Sequence, residues 1–265
     1  MAADWRDDLE LIRDAARQAA EIAHDFFGRS PEVWWKNEGR SPVSAADFAA
    51  NDRLQSVLLK ARPNYGWLSE ETDDDAARLS VETLFVVDPI DGTRAFINGE
   101  NTWCVSVAVV HRGAPVAGVL AAPALAEEFC AVAGGPALKN GAPIAVTSAR
   151  AGSQLAVAVD ETLLKKFDPA LQQEIQRARY IPSLAYRLAM IADGRIDGTI
   201  VRRNSHDWDL AAADLILERA GGRLIDLDGN RLTYNRPGVS HDMLVAGADH
   251  ALESLLPQLL RSTSG

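Results

Sequence analysis

The sequence predicts a layered α+β chain of two lobes, with helices packed on a sheet in the first half and an alternating α/β arrangement in the second. Two long stretches with apolar residues at helical spacing open the chain. A series of short apolar runs broken by turn residues follows, and strand-like and helix-like segments then alternate to the C-terminus. At 265 residues, with 47% hydrophobic and 24% charged residues, the chain can bury a large core and has an ordinary globular composition.

Leu9, Ile12, Ala16, Ala19, Ile22, Ala23, Phe26 and Phe27 recur at helical spacing and Gly28 supplies a stop, which predicts a first helix over 4–27. Ser44 opens a second, in which Phe48, Leu54, Val57, Leu58 and Leu59 share a face, ending before Pro63. Strands are predicted at 66–68, 84–87, 103–111, 115–121 and 128–133; turn residues such as Arg112-Gly113 join them into an antiparallel sheet. The second half reads as strand 155–159, helices 162–177 and 184–192, strand 199–201, helix 210–220, strands 223–225 and 243–246, and helix 250–260. With no internal repeat or long linker, a boundary near Gly134-Gly135 divides one unit into lobes 1–134 and 135–265.

The formal net charge is -10 and no block of Lys or Arg occurs, so the footprint of a protein that grips long nucleic acid is missing. The acidic surplus is compatible with divalent cations and equally with a merely soluble surface. Cys104 and Cys130 lack the spacing of a zinc site or a disulfide scaffold and read as buried thiols. The polar, acidic N-terminus resembles neither a signal nor a transit peptide, and no apolar run approaches membrane-spanning length, so a cytoplasmic protein is expected.

Chemistry concentrates where the apolar run Leu84-Phe85-Val86-Val87 meets Asp88-Pro89-Ile90-Asp91-Gly92-Thr93. Pro89 fixes its own φ and removes an N–H, and Gly92 lets the backbone approach a ligand, so a rigid turn can aim Asp88 and Asp91 at one point. Ser69-Glu70-Glu71 follows another short strand, and Asp207-Trp208-Asp209 precedes a helix. Taken singly, Glu70-Glu71 reads as a solvated pair, Asp209 as a helix cap and Asp91-Gly92 as a turn. Taken together, carboxylates gathered without a cation would repel one another, whereas Mg²⁺ prefers such hard oxygen ligands.

The joint pattern of Asp88-Pro89-Ile90-Asp91-Gly92-Thr93, Ser69-Glu70-Glu71-Thr72 and Trp208-Asp209-Leu210-Ala211-Ala212-Ala213 resembles the inositol monophosphatase superfamily over nearly the whole chain. Trp35-Lys36 and Ser41-Pro42-Val43-Ser44-Ala45-Ala46-Asp47 resemble its entry segment, with Ser44 in place of the usual Thr. The resemblance implies a layered αβαβα sugar-phosphatase fold, a Mg²⁺-dependent, Li⁺-sensitive phosphomonoesterase and a homodimer. It implies that Glu70, Asp88 and the Ile90 carbonyl hold one Mg²⁺, and that Asp88, Asp91 and Asp209 hold a second. Asp47 and Thr93 would orient or deprotonate the attacking water, with Glu70 counted among the catalytic groups, and a third Mg²⁺ is left open in the shell of Lys36 and Asp47. The Gly92 and Thr93 amides would cradle the phosphate, with Asp209 and Arg202 also touching substrate. Two cations at about 3.5–4 Å would offset the phosphoryl charge, acidify a water and steady the departing alkoxide. No side-chain nucleophile is needed, and among Cys and His only His206 falls in the motif segments. His206 reads as a surface or supporting residue and Trp208 as packing.

Superfamily members act on inositol monophosphates, bisphosphate nucleotides, fructose 1,6-bisphosphate or histidinol phosphate. Asp91-Gly92-Thr93-Arg94-Ala95-Phe96-Ile97 resembles the loop of bisphosphate nucleotidases, and Arg202-Arg203 stands where inositol phosphatases carry an acid. Guanidinium suits a second phosphate, so a 3′(2′),5′-bisphosphate nucleotidase leads, followed by an inositol-1-monophosphatase and then a histidinol-phosphatase. A non-catalytic metal- or metabolite-binding protein is the alternative of another class; the full set Asp47, Glu70, Asp88, Asp91, Thr93 and Asp209 argues against it. Arg223-Leu224-Ile225-Asp226-Leu227-Asp228-Gly229 resembles the start of a haloacid dehalogenase-type phosphatase, but Asn230 suits a hairpin turn instead.

Overall fold

The computed structural model describes residues 4–29, 33–36, 41–149, 153–179 and 181–263. The apolar spacing at the head of the chain becomes α1 (Arg6–Phe26), and β1 (Val33–Lys36) and β2 (Ser41–Ser44) form an antiparallel hairpin leading into α2 (Ala45–Ala61). Ala15, Ala16, Ala19 and Ala20 join Leu9 and Ile12 on the buried face of α1, so small side chains let it lie close to its neighbours. Its helix ends beside Gly28, whose φ of 75° lies in the left-handed region.

The first sheet contains β3 (Gly66–Ser69), β4 (Thr83–Asp91), β5 (Cys104–His111), β6 (Ala114–Ala122), β7 (Glu127–Val132), β8 (Leu138–Lys139) and β9 (Ala142–Pro143), ordered as in the chain. It is not wholly antiparallel as expected: β3 runs parallel to β4, because residues 70–82 form a crossover containing a 3₁₀ turn at Ala76–Ser80. Short α3 (Thr93–Ile97) interrupts the chain between β4 and β5. Alternation along the strands sends Phe85, Val87, Val107 and Val119 against α1 and α2, and Leu84, Val86, Ala108 and Leu120 to the opposite core. Both faces are covered, which is why these strands read as continuous apolar runs. The sheet continues past Gly134-Gly135 to Pro143, so the change of sheet falls later than the expected boundary.

The remaining elements are β10 (Leu155–Ala158), α4 (Glu161–Leu164), α5 (Pro169–Glu174), β11 (Ile175–Arg177), α6 (Leu184–Ala192), β12 (Gly198–Val201), β13 (Ser205–His206), α7 (Asp207–Arg219), β14 (Arg223–Asp226), β15 (Ser240–His241), β16 (Leu244–Gly247) and α8 (Asp249–Thr263). The helix expected over 162–177 is broken. Asp168 caps a new helix at Pro169, and residues 175–177 instead pair with β10 as an edge strand. The second sheet has the order β11-β10-β12-β16-β14.

Helices α6 and α7 supply Leu188, Leu215 and Ile216 to a core shared with both sheets, while Leu171, Leu252 and Leu255 of α5 and α8 cover the far face of the second. The result is the αβαβα layering. Among the described residues no helix is long and apolar enough to cross a membrane. Cys104 and Cys130 are free and buried, as expected.

The middle layer is seated by a close approach: a Cβ on Gly118 of β6 would lie 2.9 Å from the Ala212 carbonyl oxygen of α7. Gly118→Val should therefore lower the unfolding free energy by about 1–3 kcal/mol in urea denaturation, although valine is the better strand former. An unchanged midpoint would show that α7 does not rest on β6 at this point.

Candidate active site

Hydrogen bonding explains how carboxylates survive at the buried end of β4, where Asp88 is 2% and Asp91 5% exposed. Pro89 has no N–H for the ladder, and the register with β5 slips between Asp88, opposite Ser106, and Asp91, opposite Cys104. Asp88 Oδ1 accepts the Ile90 N–H at 3.0 Å. The Asp91 carboxylate accepts the Ser183 hydroxyl, the Ala185 N–H at 2.7 Å and the Leu184 N–H at 3.3 Å, so it sits on the first turn of α6. Gly92 has φ 91°, and a Cβ there would lie 2.9 Å from the Ser183 Cβ, so both conformation and space demand glycine.

Asp47 enters from α2. Its Oδ2 accepts the N–H and the hydroxyl of Ser44, each at 2.7 Å. Thr93 Oγ1 lies 3.0 Å from the Ile90 carbonyl oxygen and 3.3 Å from Asp47 Oδ1, and its single proton serves one of them at a time.

Asp209 enters on the first turn of α7, where its Oδ2 accepts the His206 N–H at 2.7 Å. That turn is pinned by fully buried Asp207, whose Oδ1 is 2.7 Å from His241 Nε2 and whose Oδ2 accepts the Asn235 N–H at 2.8 Å. Asn235 Oδ1 in turn accepts from the buried Arg78 guanidinium at 2.7 Å, which ties the start of α7 back to the crossover after β3.

One oxygen from each of Asp88, Asp91 and Asp209 lies within 4.8 Å of the other two. Burial pushes the Asp88 carboxyl well up, and the charges of Glu70, Asp91, Asp209 and Asp47 push the same way. Asp91 is pushed up to about 7, by burial first and the Asp209 charge second. Asp47 rises to about 6, again by burial, with the Ser44 hydrogen bonds opposing. Hard oxygen donors crowded in this way fit a divalent cation, and the triad is able to bind a metal ion.

The structure thus brings together Asp88, Asp91 and Asp209, places Glu70 near enough to act on Asp88, and joins Asp47 to Thr93. Lys36 lies on β1, but its side chain falls outside the described residues. A cavity of about 560 Å³ opens from Asp91 and Asp209 and is lined by Arg187, Arg202 and Ser205. Arg202 reaches it with a 75% exposed side chain held by Asp160 at 2.6 Å, whereas Arg203 lies 3.8 Å from Asp242 and does not line this cavity.

His206 stacks on Trp208 with ring centroids 4.7 Å apart, and Trp208 packs on the middle core. Asp226 and Asp228 form a turn, with Asp226 Oδ1 accepting the N–H groups of Asp228 and Asn230. Sequence reading missed Ser183, Arg187 and Ser205. Ser183 carried a cap signal ahead of α6, but nothing local indicates that its hydroxyl meets Asp91.

The profile of the inositol monophosphatase family matches residues 4–263. The chain is 30% identical over 240 residues to a histidinol-phosphatase of Chlorobaculum parvum, covering 88% of this chain and 90% of the relative. It is also 30% identical over 236 residues to the 3′(2′),5′-bisphosphate nucleotidase CysQ of Aggregatibacter actinomycetemcomitans, covering 86% and 87%. The crystal structure of the extragenic suppressor protein SuhB from Bartonella henselae superposes with a TM-score of 0.83 at 28% identity, covering 96% of this chain and 98% of that one. With a whole-chain family match and the acidic triad in place, the chain belongs to the inositol monophosphatase family and is a phosphoric monoester hydrolase.

Proposed function

We propose that this chain is a Mg²⁺-dependent phosphatase for a small metabolite carrying a second anionic group, with a 3′(2′),5′-bisphosphate nucleotide such as adenosine 3′,5′-bisphosphate as the leading substrate. The observation that carries this reading is one cavity lined both by Asp91 and Asp209 and by Arg187 and Arg202. Relatives of equal identity bear names for different substrates, so overall similarity does not choose among them. Arginine residues in the lining favour an anion over a neutral polyol.

In this reading Glu70, Asp88 and the Ile90 carbonyl hold one Mg²⁺, and Asp88, Asp91 and Asp209 hold a second. These ligands come from the first 134 residues except Asp209, which the second part of the chain contributes. Bound Mg²⁺ would offset the phosphoryl charge, acidify a water and stabilise the leaving oxygen. Asp47 and Thr93 position the water for in-line attack, Asp47 taking its proton, while the Gly92 and Thr93 amides receive the phosphoryl oxygens. Burial pushes the Cys104 thiol well up, which disfavours a thiolate nucleophile beside the triad. A homodimer, Li⁺ inhibition and a cytoplasmic location complete the proposal.

Asp91→Asn should cut kcat/KM by about 10²–10³-fold while keeping the fold, since it relieves repulsion and keeps an acceptor for Ala185; full activity by steady-state assay would exclude the metal assignment. A second expectation follows from pH. Carboxyl pKa values raised in the folded state contribute stability present below the unfolded value near ~3.9 and lost as pH climbs through about 6 for Asp47 and about 7 for Asp91. Scanning calorimetry with and without MgCl₂ should therefore show a larger cation-induced rise in Tm at pH 8 than at pH 5, and equal rises would count against the carboxylate cluster as the site. Among adenosine 3′,5′-bisphosphate, inositol 1-phosphate and histidinol phosphate, the first should show the highest kcat/KM, by about tenfold or more. Preference for either of the others would move the substrate assignment there.

A further inference from the structure

Resting on the Mg²⁺ reading of the acidic triad, we propose that His241 is a positioning residue: through Asp207 it fixes where Asp209 stands, and thereby how tightly the triad holds its cation. Strand β15 pairs antiparallel with β13, His241 opposite Ser205 and Ser240 opposite His206, and the His241 carbonyl accepts the Asn204 N–H at 2.9 Å. The paired β13 leads directly into α7, and its His206 N–H is the donor, at 2.7 Å, that holds Asp209 Oδ2. The backbone of β15 therefore braces that donor from one side. The ring of the same His241 grips the first residue of α7, with Nε2 at 2.7 Å from Asp207 Oδ1.

The side chains of His241 and Asp207 are 3% and 0% exposed. Asp207 Oδ2 is taken by the Asn235 N–H at 2.8 Å, so among the described residues the imidazole alone fills Oδ1. Arg236 decides the tautomer. Its Nη2 lies 3.4 Å from His241 Nδ1, and a guanidinium only donates, so Nδ1 accepts and the ring proton sits on Nε2, aimed at Asp207. A buried carboxylate that loses its donor must find another or move toward water. Space for water is at hand, because His241 lines a second cavity, of about 470 Å³, together with Arg236 and Ser240. Without the imidazole, Asp207 turns toward that space and carries the first turn of α7, and Asp209 with it, away from Asp88 and Asp91. Groups that orient a metal-binding side chain typically change metal affinity about 10–100-fold when they are removed.

The test titrates Mg²⁺ to half-saturation on two readouts, the rise in Tm and the rate on p-nitrophenyl phosphate. His241→Leu, which removes the donor, should raise the half-saturating Mg²⁺ about tenfold or more on both, while KM at saturating Mg²⁺ stays within about threefold. His241→Gln, whose amide nitrogen stands close to the place of Nε2, should need Mg²⁺ within about threefold of wild type. His241→Asn carries the same amide one methylene short and should behave as the Leu variant does; it carries the test if the Leu variant does not fold. A purely structural role lowers the Tm of the metal-free protein and leaves half-saturation unmoved. That result, or Gln and Leu variants that behave alike, overturns the inference. A wild type that responds to Mg²⁺ on both readouts, with all three variants unchanged, overturns it and leaves the Mg²⁺ reading of the triad standing. A wild type that responds on neither overturns both.

Discussion

Three buried or half-buried carboxylates held within 4.8 Å of one another are the constraint around which the rest of this structure is arranged. Like charges at that spacing repel, and burial removes the water that would screen them. The backbone must therefore hold Asp88, Asp91 and Asp209 in place by means that do not depend on their mutual attraction. Each is fixed by N–H donors: Ile90 to Asp88, Leu184 and Ala185 to Asp91, and His206 to Asp209. At Asp91 these bonds favour the ionised form and only partly counter burial.

The same constraint accounts for the middle layer. Helices α6 and α7 both begin at the carboxylate cluster, one seated on Asp91 and the other carrying Asp209. Their positive N-terminal ends supply part of the charge that the acids lack. Holding them there requires the tight contact at Gly118, the Asp207–His241 pair and the chain of contacts through Asn235 to Arg78. Residues remote from the chemistry thus act on it by fixing where two helices start.

The cavity beside the acids is a consequence of this placement. With α6 and α7 starting at the acidic cluster, α6 and the C-terminal ends of β10 and β12 line the space beyond it. Arg187, Arg202 and Ser205 are among the residues that line it. The acidic cluster and the arginines lining this cavity lie on different elements, so one can vary without the other.

Much of the fold and of the acidic site was legible in the sequence. The bounds of α6, the apolar run of β4 and the motif Asp88-Pro89-Ile90-Asp91-Gly92-Thr93 follow from periodicity, caps and turn residues, which act within a few positions of chain. The break at Pro169 is carried by the Asp168-Pro169 cap signal, although apolar spacing continues on either side of it. The parallel pairing of β3, the Ser183 hydroxyl on Asp91 and the arrival of Arg187 and Ser205 in one cavity were not legible. Local sequence dictates which elements form and which residue types are available to bind a cation. Tertiary structure alone decided which side chains meet, because contacts between residues far apart in the chain depend on how whole layers pack and leave no periodic trace in either segment.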